Sequence, residues 1–433
     1  MQQIVKVCAC FLTGALVAAC SNDHTRTVMT APVAISRASD GSAQGVPFTE
    51  GLASSRWQEL ARDTLGPPHK LASVENGRIF AYLGLAEYAA VVAVDDQDPL
   101  AVESDNDPAG QGIGSGGRTR LDMERGAIGG AAAAVLKSLF PSAVENALID
   151  ARFTAEENAG PGPSRDAFTT GAAIGRQIAE PVIARAKNDH FYDVTTRVEP
   201  SGPGHWVSET SQPPVLPQVA DATPFFLSKG SDFRPGPPPA FGSAEYLDSL
   251  QTIERIADTR TAEQIRIANF WNGGGPANFY VIASQMIDRY GLSEREAAHV
   301  IALMNMAVMD AEIGCWDAKY TYWFIRPPQA SRLTNLGIPA DPIKTVFAVP
   351  NHPSYPSAHS CIAASSAEAL ESFSVFSSER AALDSMVHEA GLSRMYAGIH
   401  YGFDIQAGQE LGRSVAKVAI HADSTRGVLS VLP

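Results

Sequence analysis

Seven side chains in the last third of this chain have the types and spacings needed to hold and transform a small oxyanion. Lys319 and Arg326 bracket an aromatic stretch that ends at Pro327. Ser357 and His359 lie in Tyr355-Pro-Ser-Ala-His-Ser360, and Arg394, His400 and Asp404 lie between Ser393 and Asp404. Lys319 and Arg326 are seven apart, so at about 100° per residue a continuous helix would point both the same way, to within about 20°. Pro327 disfavours helix at Arg326 itself and ends the element there. Ser357 heads an alanine-rich helix predicted to run to Phe373, where a serine is ordinarily an N-cap. The same helix start offers a hydroxyl and the Ala358 N–H to an anion, with His359 standing over it. Arg394 and His400 are six apart, about 120° off a common helical face, so a break at Gly398 is expected to bring them together. His400 and Asp404 are four apart, a spacing at which a carboxylate accepts the imidazole N–H and fixes its tautomer.

These residues need a scaffold, and 433 residues provide for two or three domain-sized cores or one large helical unit. A net charge of -14 and a pI near 5.2 exclude nucleic acid or an anionic lipid face as a bulk partner, since either needs a basic footprint. An anion site in such a chain must be a local cationic pocket.

The beginning of the chain reads as an address. Lys6 precedes an apolar run, Val7 to Ala19, of the length of a secretory signal core. Val17-Ala-Ala-Cys20 resembles a bacterial lipobox, so residues 1–20 are expected to be a lipoprotein signal and Cys20 a lipidated anchor. Ser21 after it resembles signals for outer-membrane sorting, which makes the protein an expected envelope lipoprotein facing the periplasm. Cys315 and Cys361 would then be the remaining cysteines, either disulfide-bonded or both free and buried.

Residues 21–47 read as a flexible tether. Helical periodicity marks 48–199 as an N-terminal helical region, with helices over Trp57–Leu65, Leu71–Val94, Gly126–Leu139, Pro141–Phe153 and Ala167–Lys187, the last kinked or interrupted at Pro181. The acidic, glycine-rich segment from Asp95 to Gly117 lacks the spacing of a calcium loop, and Gly126, Gly129 and Gly130 fit close helix packing better than a phosphate loop. Residues 200–242 are proline-rich and read as an ordered crossing loop between two helical halves. From 243 to 433 the helical pattern returns, with capping boxes at Thr261/Gln264 and Ser293/Glu296. No alternating apolar run is long enough for a sheet, and no run is expected to span a membrane. The expected fold is all-α, two helical bundles.

Lys319, six residues, Arg-Pro; then Pro-Ser-Ala-His359; then Ser-Arg394, five residues, His400, three residues, Asp404: this order and spacing resemble the three-part signature of the type 2 phosphatidic acid phosphatase and vanadium haloperoxidase superfamily. Similarity to the haloperoxidase branch extends over roughly residues 233–419, including Phe270-Trp271, Asn278-Phe-Tyr280 and Trp316-Asp-Ala-Lys319. The resemblance implies a haloperoxidase-like helical fold. It also implies that Lys319, Arg326 and Arg394 neutralise the nonbridging oxygens while Ser357 and the Ala358 N–H donate to them. His359 would be general acid and base, and His400 the nucleophile on phosphorus, or the ligand of the metal if vanadate is bound, oriented by Asp404. Ala358 departs from the usual glycine, which keeps the backbone donor and adds a methyl.

Three functions fit. The first expectation is a phosphatase acting on a small phosphorylated substrate through a phosphohistidine, with no cofactor. The alternative is a haloperoxidase that binds vanadate and uses peroxide to oxidise halide. The third is a noncatalytic, oxyanion-binding envelope lipoprotein.

Overall fold

The N-terminal helices assemble because their small and apolar faces match. A computed structural model describes residues 51–97, 115–273, 276–333, 336 and 342–432. The expected signal, Cys20, the tether and the glycine-rich segment 98–114 lie outside the described residues. The first group comprises α1 (Ala53–Leu60), continued by a wider turn over Ala61–Leu65, then α2 (Ser73–Gln97), α3 (Ser115–Leu139), α4 (Ala143–Glu157) and α5 (Gly162–Lys187). α3 packs along α5 at close range: a Cβ on Gly126 would overlap the Phe168 carbonyl, and one on Gly130 the Ala172 carbonyl. The glycines thus serve helix packing. Gly130→Ala is expected to cost about 1–3 kcal/mol, as overpacking does elsewhere, read as a lowered urea midpoint at unchanged m. α5 runs through Pro181 without interruption.

The second group comprises α6 (Ala244–Thr259), α7 (Ala262–Asn272), α8 (Pro276–Tyr290), α9 (Glu294–Tyr322), the single turn α10 (Pro327–Ala330), α11 (Ala358–Glu371), α12 (Arg380–Tyr396) and α13 (Gly402–Arg426). Thr261 and Ser293 make their capping boxes with Gln264 and Glu296. Among the described residues the only β pairing is an isolated bridge between His205 and Phe324. The chain is all-α.

α9 is the central element. α2 packs along it from the first group, α11 and α13 from the second, and Glu294 at its head accepts the backbone N–H groups of Ala53 and Ser54 at 2.9 Å each. Contrary to the sequence expectation, α2 and α9 are each long and apolar enough to cross a membrane, but they lie mostly buried inside the fold. Their hydropathy is that of core helices.

The proline-rich segment is ordered by α9. Asp310, fully buried, accepts the N–H groups of Phe225 at 2.6 Å, Phe226 at 2.7 Å and Leu227 at 3.2 Å. A segment denied regular pairing by its prolines thereby satisfies its amides with a side chain. Farther on, Trp206 N–H donates to the Trp323 carbonyl at 2.6 Å and Ile325 N–H to the Gly204 carbonyl at 3.0 Å.

Candidate oxyanion site

Lys319 lies in the last turn of α9, and Arg326 does not share its helix. α9 ends at Tyr322 because Trp323 turns left-handed, at φ 48°, and packs against Trp206 and Tyr320. The crossing loop holds the next residues extended, so Arg326 becomes the N-cap of α10. The seven-residue helical register fails, yet the turn still brings both cations inward, and both are fully buried.

Lys319 Nζ donates to the carbonyls of Pro353 (2.8 Å), Ser354 (2.9 Å) and Pro356 (2.5 Å). Its three donors are all engaged by the backbone of the turn before Ser357, whereas the sequence expectation gave it to an oxyanion oxygen. Burial pushes its pKa down to about 8. The ammonium therefore loses its proton as pH rises through about 8, and phosphate affinity of the free protein is expected to fall there. Isothermal titration at pH 7 and 9 checks this; equal affinities would refute it.

Arg326 donates through Nε to the His352 carbonyl (2.8 Å) and through Nη1 to the Ile399 carbonyl (2.9 Å). Its Nη1 also lies 3.4 Å from His400 Nε2 and its Nη2 3.2 Å from His352 Nδ1. Arg394, from the end of α12, donates through Nη2 to the Ala268 carbonyl (3.0 Å) and stacks over Phe347. Burial lowers the pKa of both guanidiniums, but guanidinium keeps its proton in proteins.

Ser357 stands at the N-cap of α11 without capping it. Its Oγ is buried and has no partner, which is costly unless a ligand supplies one. Its N–H donates to the Asp404 carbonyl at 2.9 Å. That contact requires α13 to lie against the first turn of α11, and Gly408 permits it, since a Cβ there would crowd the Ser357 carbonyl. The Ala358 N–H opens the helix beside the hydroxyl.

Gly398, at φ 79°, ends α12 and turns the chain so that His400 returns toward Arg326. His400 Nδ1 lies 2.8 Å from Asp404 Oδ2. Arginine has only donors, so its approach to Nε2 assigns the lone pair to Nε2 and the proton to Nδ1, pointing at Asp404. Burial, then the Arg326 and Lys319 charges, holds the His400 pKa well below its ordinary value. The imidazole is neutral, and its link to Asp404 is a hydrogen bond rather than an ion pair. Ser354 Oγ (2.6 Å) and Tyr401 N–H (3.1 Å) also donate to Asp404 Oδ2, while burial raises the Asp404 pKa to about 6.

His359, in the first turn of α11, is only partly buried. Its Nε2 lies 2.9 Å from the Trp271 carbonyl and 3.5 Å from Arg394 Nη1; the shorter contact, to a group that can only accept, places the proton on Nε2 and the lone pair on Nδ1. Burial, then Arg394, keeps its pKa well below the usual value.

The structure thus gathers all the sequence-selected residues around one turn, with Lys319 behind it. Sequence reasoning missed Ser354, His352 and the Trp271 carbonyl, which position Asp404, Arg326 and His359. The signal was present as polar residues between the prolines of His352-Pro-Ser-Tyr-Pro-Ser357. Cys315 and Cys361 are free and buried, which decides between the two sequence alternatives in this structure.

The donor set fits phosphate or vanadate. Among the described residues, none of the three buried cations pairs directly with a carboxylate, Asp404 is engaged by His400, and the Ser357 hydroxyl is unpartnered. Such a concentration of uncompensated positive charge is costly to bury without an anion.

Comparison with known proteins bears on the fold that carries this site. Residues 299–382 and 376–426 match the family described as VCPO second helical-bundle domain. The structure of the first bacterial vanadium-dependent iodoperoxidase superposes with TM-score 0.65 at 24% identity, over 85% of this chain and 94% of that one. An apo-type bacterial vanadium-dependent chloroperoxidase gives 0.65 at 15% identity, over 84% and 97%. The holo-type gives 0.64 at 16%, over 86% and 96%. A sequence comparison with curated proteins gives no match.

Proposed function

From a chain with the vanadium haloperoxidase-like fold of the type 2 phosphatidic acid phosphatase superfamily, we propose a vanadium-dependent haloperoxidase, in place of the phosphatase that the motifs alone put first. The observation carrying this reading is the extent of the likeness. Both helical groups, not only the bundle bearing the motifs, superpose on haloperoxidases across 84–86% of this chain. The motifs themselves lie in the second group alone.

In this reading Arg326, Arg394 and the charge of Lys319 neutralise vanadate oxygens, and the Ser357 hydroxyl and Ala358 N–H donate to them. His400 Nε2 would offer its lone pair to the metal, and the neighbouring Asp404 carboxylate would raise that nitrogen's basicity. His359 Nδ1, with Nε2 held on Trp271, would take and return a proton. Bound vanadate supplies the Lewis-acid centre that activates peroxide for halide oxidation.

One observation favours the second reading, a phosphatase. A neutral His400 with its lone pair fixed by Asp404 is a competent nucleophile on phosphorus without any metal. A paired assay on the same preparation separates the two: halide oxidation by peroxide with vanadate present, and phosphomonoester hydrolysis without it. Halide oxidation that depends on vanadate supports the proposal; hydrolysis alone, blocked by stoichiometric vanadate, overturns it. The lipid anchor at Cys20 and an envelope location belong to the same proposal. A Cys20→Ser chain that still fractionates with membranes would refute them.

A further inference from the structure

Two groups reach the same nitrogen of His359 and favour opposite protonation of it. The Trp271 carbonyl, 2.9 Å from Nε2, can only accept and calls for a proton there. Arg394 Nη1, 3.5 Å from Nε2, can only donate and calls for a lone pair. A separation of 3.5 Å is at the weak edge of hydrogen bonding, so the proton stays on Nε2 for as long as the carbonyl keeps its place. The tautomer of the general acid and base is therefore set by the position of one backbone oxygen.

That oxygen belongs to the last turn of α7, where carbonyls have no intrahelical donor to hold them and where Gly273 follows as the C-cap. Its hold comes from the side chain of the same residue. The Trp271 indole is buried against Phe279, and its Nε1 donates to Glu389 Oε1 on α12 at 3.1 Å. α12 thus governs both contestants, carrying Arg394 itself and fixing, through Glu389, the residue whose carbonyl opposes it. Arg394 has anchors that do not depend on α7: its Nε donates to Ser393 Oγ at 2.9 Å, and its guanidinium lies over the Phe347 ring.

We propose that Glu389 is a positioning residue for proton transfer: by holding the Trp271 indole it keeps the Trp271 carbonyl on His359 Nε2, and so leaves Nδ1 as the base. Without Glu389 the turn relaxes, Arg394 donates to Nε2, and the neutral ring exchanges to the tautomer with its proton on Nδ1, which can no longer accept one there. The inference deepens the haloperoxidase reading and rests on it only for the measurement of turnover.

The tautomer is read directly from the ring nitrogen shifts of His359 in the full chain labelled with ¹⁵N-histidine, without vanadate, at neutral pH, where burial and Arg394 keep the ring uncharged. Loss of the signal in His359→Gln assigns it. Wild type should show the proton on Nε2. Glu389→Ala, at a half-buried position, and Trp271→Phe, which keeps the carbonyl and removes only the indole donor, should both move the proton largely to Nδ1. Glu389→Gln retains an acceptor oxygen and should retain the wild-type tautomer. Halide oxidation with vanadate should fall about 10²-fold in Glu389→Ala, the lower end of what a general acid–base group contributes, and return in Glu389→Gln. A proton that stays on Nε2 in Glu389→Ala, or a Glu389→Gln ring that shifts as far as the alanine variant, would overturn the proposal. Absence of halide oxidation from the wild type would count against the haloperoxidase reading and leave the tautomer result intact.

Discussion

His400→Ala protein should still bind phosphate, should bind vanadate more weakly for want of its nitrogen donor, and should turn over more slowly by on the order of 10⁴-fold or more, the scale on which enzymes lose rate when their reacting group is removed. No neighbour can replace it. Lys319 and the two arginines have only donors, and His359 is tethered through Nε2 to the Trp271 carbonyl on another element, with its Nδ1 lone pair assigned to proton transfer. The donors of Arg394, Ser357 and Ala358 remain in place, so phosphate affinity should outlast catalysis. Halide oxidation rates and calorimetric anion titration measure the two separately. If the phosphatase reading holds, rapid acid quench of wild-type protein should give a phosphohistidine on His400 that His400→Ala lacks. Near wild-type turnover in His400→Ala would refute the role under either reading.

Asp404→Asn should cost less, about 10- to 100-fold in activity or vanadate affinity, as loss of an outer partner of a metal-binding histidine does. An asparagine oxygen placed at the Oδ2 position can still accept from His400 Nδ1, Ser354 and Tyr401, so the ring remains oriented. What disappears is the negative charge. The amide nitrogen would take the place of Oδ1, which is buried without a partner, adding an unsatisfied donor. The pH profile gives a second readout. The Asp404 carboxylate, raised to about 6, is charged above that pH and neutral below it, so wild-type activity should fall as pH drops through about 6. Asp404→Asn should lack that acid limb. An unchanged limb would assign it to another group.

The parts of this site legible in the sequence were those encoded by local spacing. His400 and Asp404 four apart, the break at Gly398 and the capping boxes all depend on neighbours in the chain. Lys319 and Arg326 were misread as one helical face because the left-handed turn at Trp323 is set by Trp206, a residue more than a hundred positions away. The commitment of Lys319 to three carbonyls was equally hidden, since it depends on where residues 353–356 pass relative to α9. Chemistry alone placed the phosphatase first, because its residues were all visible in the motifs. Similarity across the N-terminal helices was too diluted in sequence to weigh and emerged only as shape.

The tie between α9 and the proline-rich segment limits how this site can be inherited or rebuilt. Asp310 takes its three amides from residues 225–227, Tyr320 and Trp316 both donate to the Val215 carbonyl, and Gly204 and Trp206 hold the strand-like passage to Arg326. Residues 243–433 contain every side chain of the site, yet they are not a transplantable cassette. Cut at 243, they would keep a buried carboxylate with no donors and a cation whose approach is no longer held. A chimera that exchanges site-bearing segments between relatives must place its junction before residue 200, so that the loop travels with the chemistry it shapes.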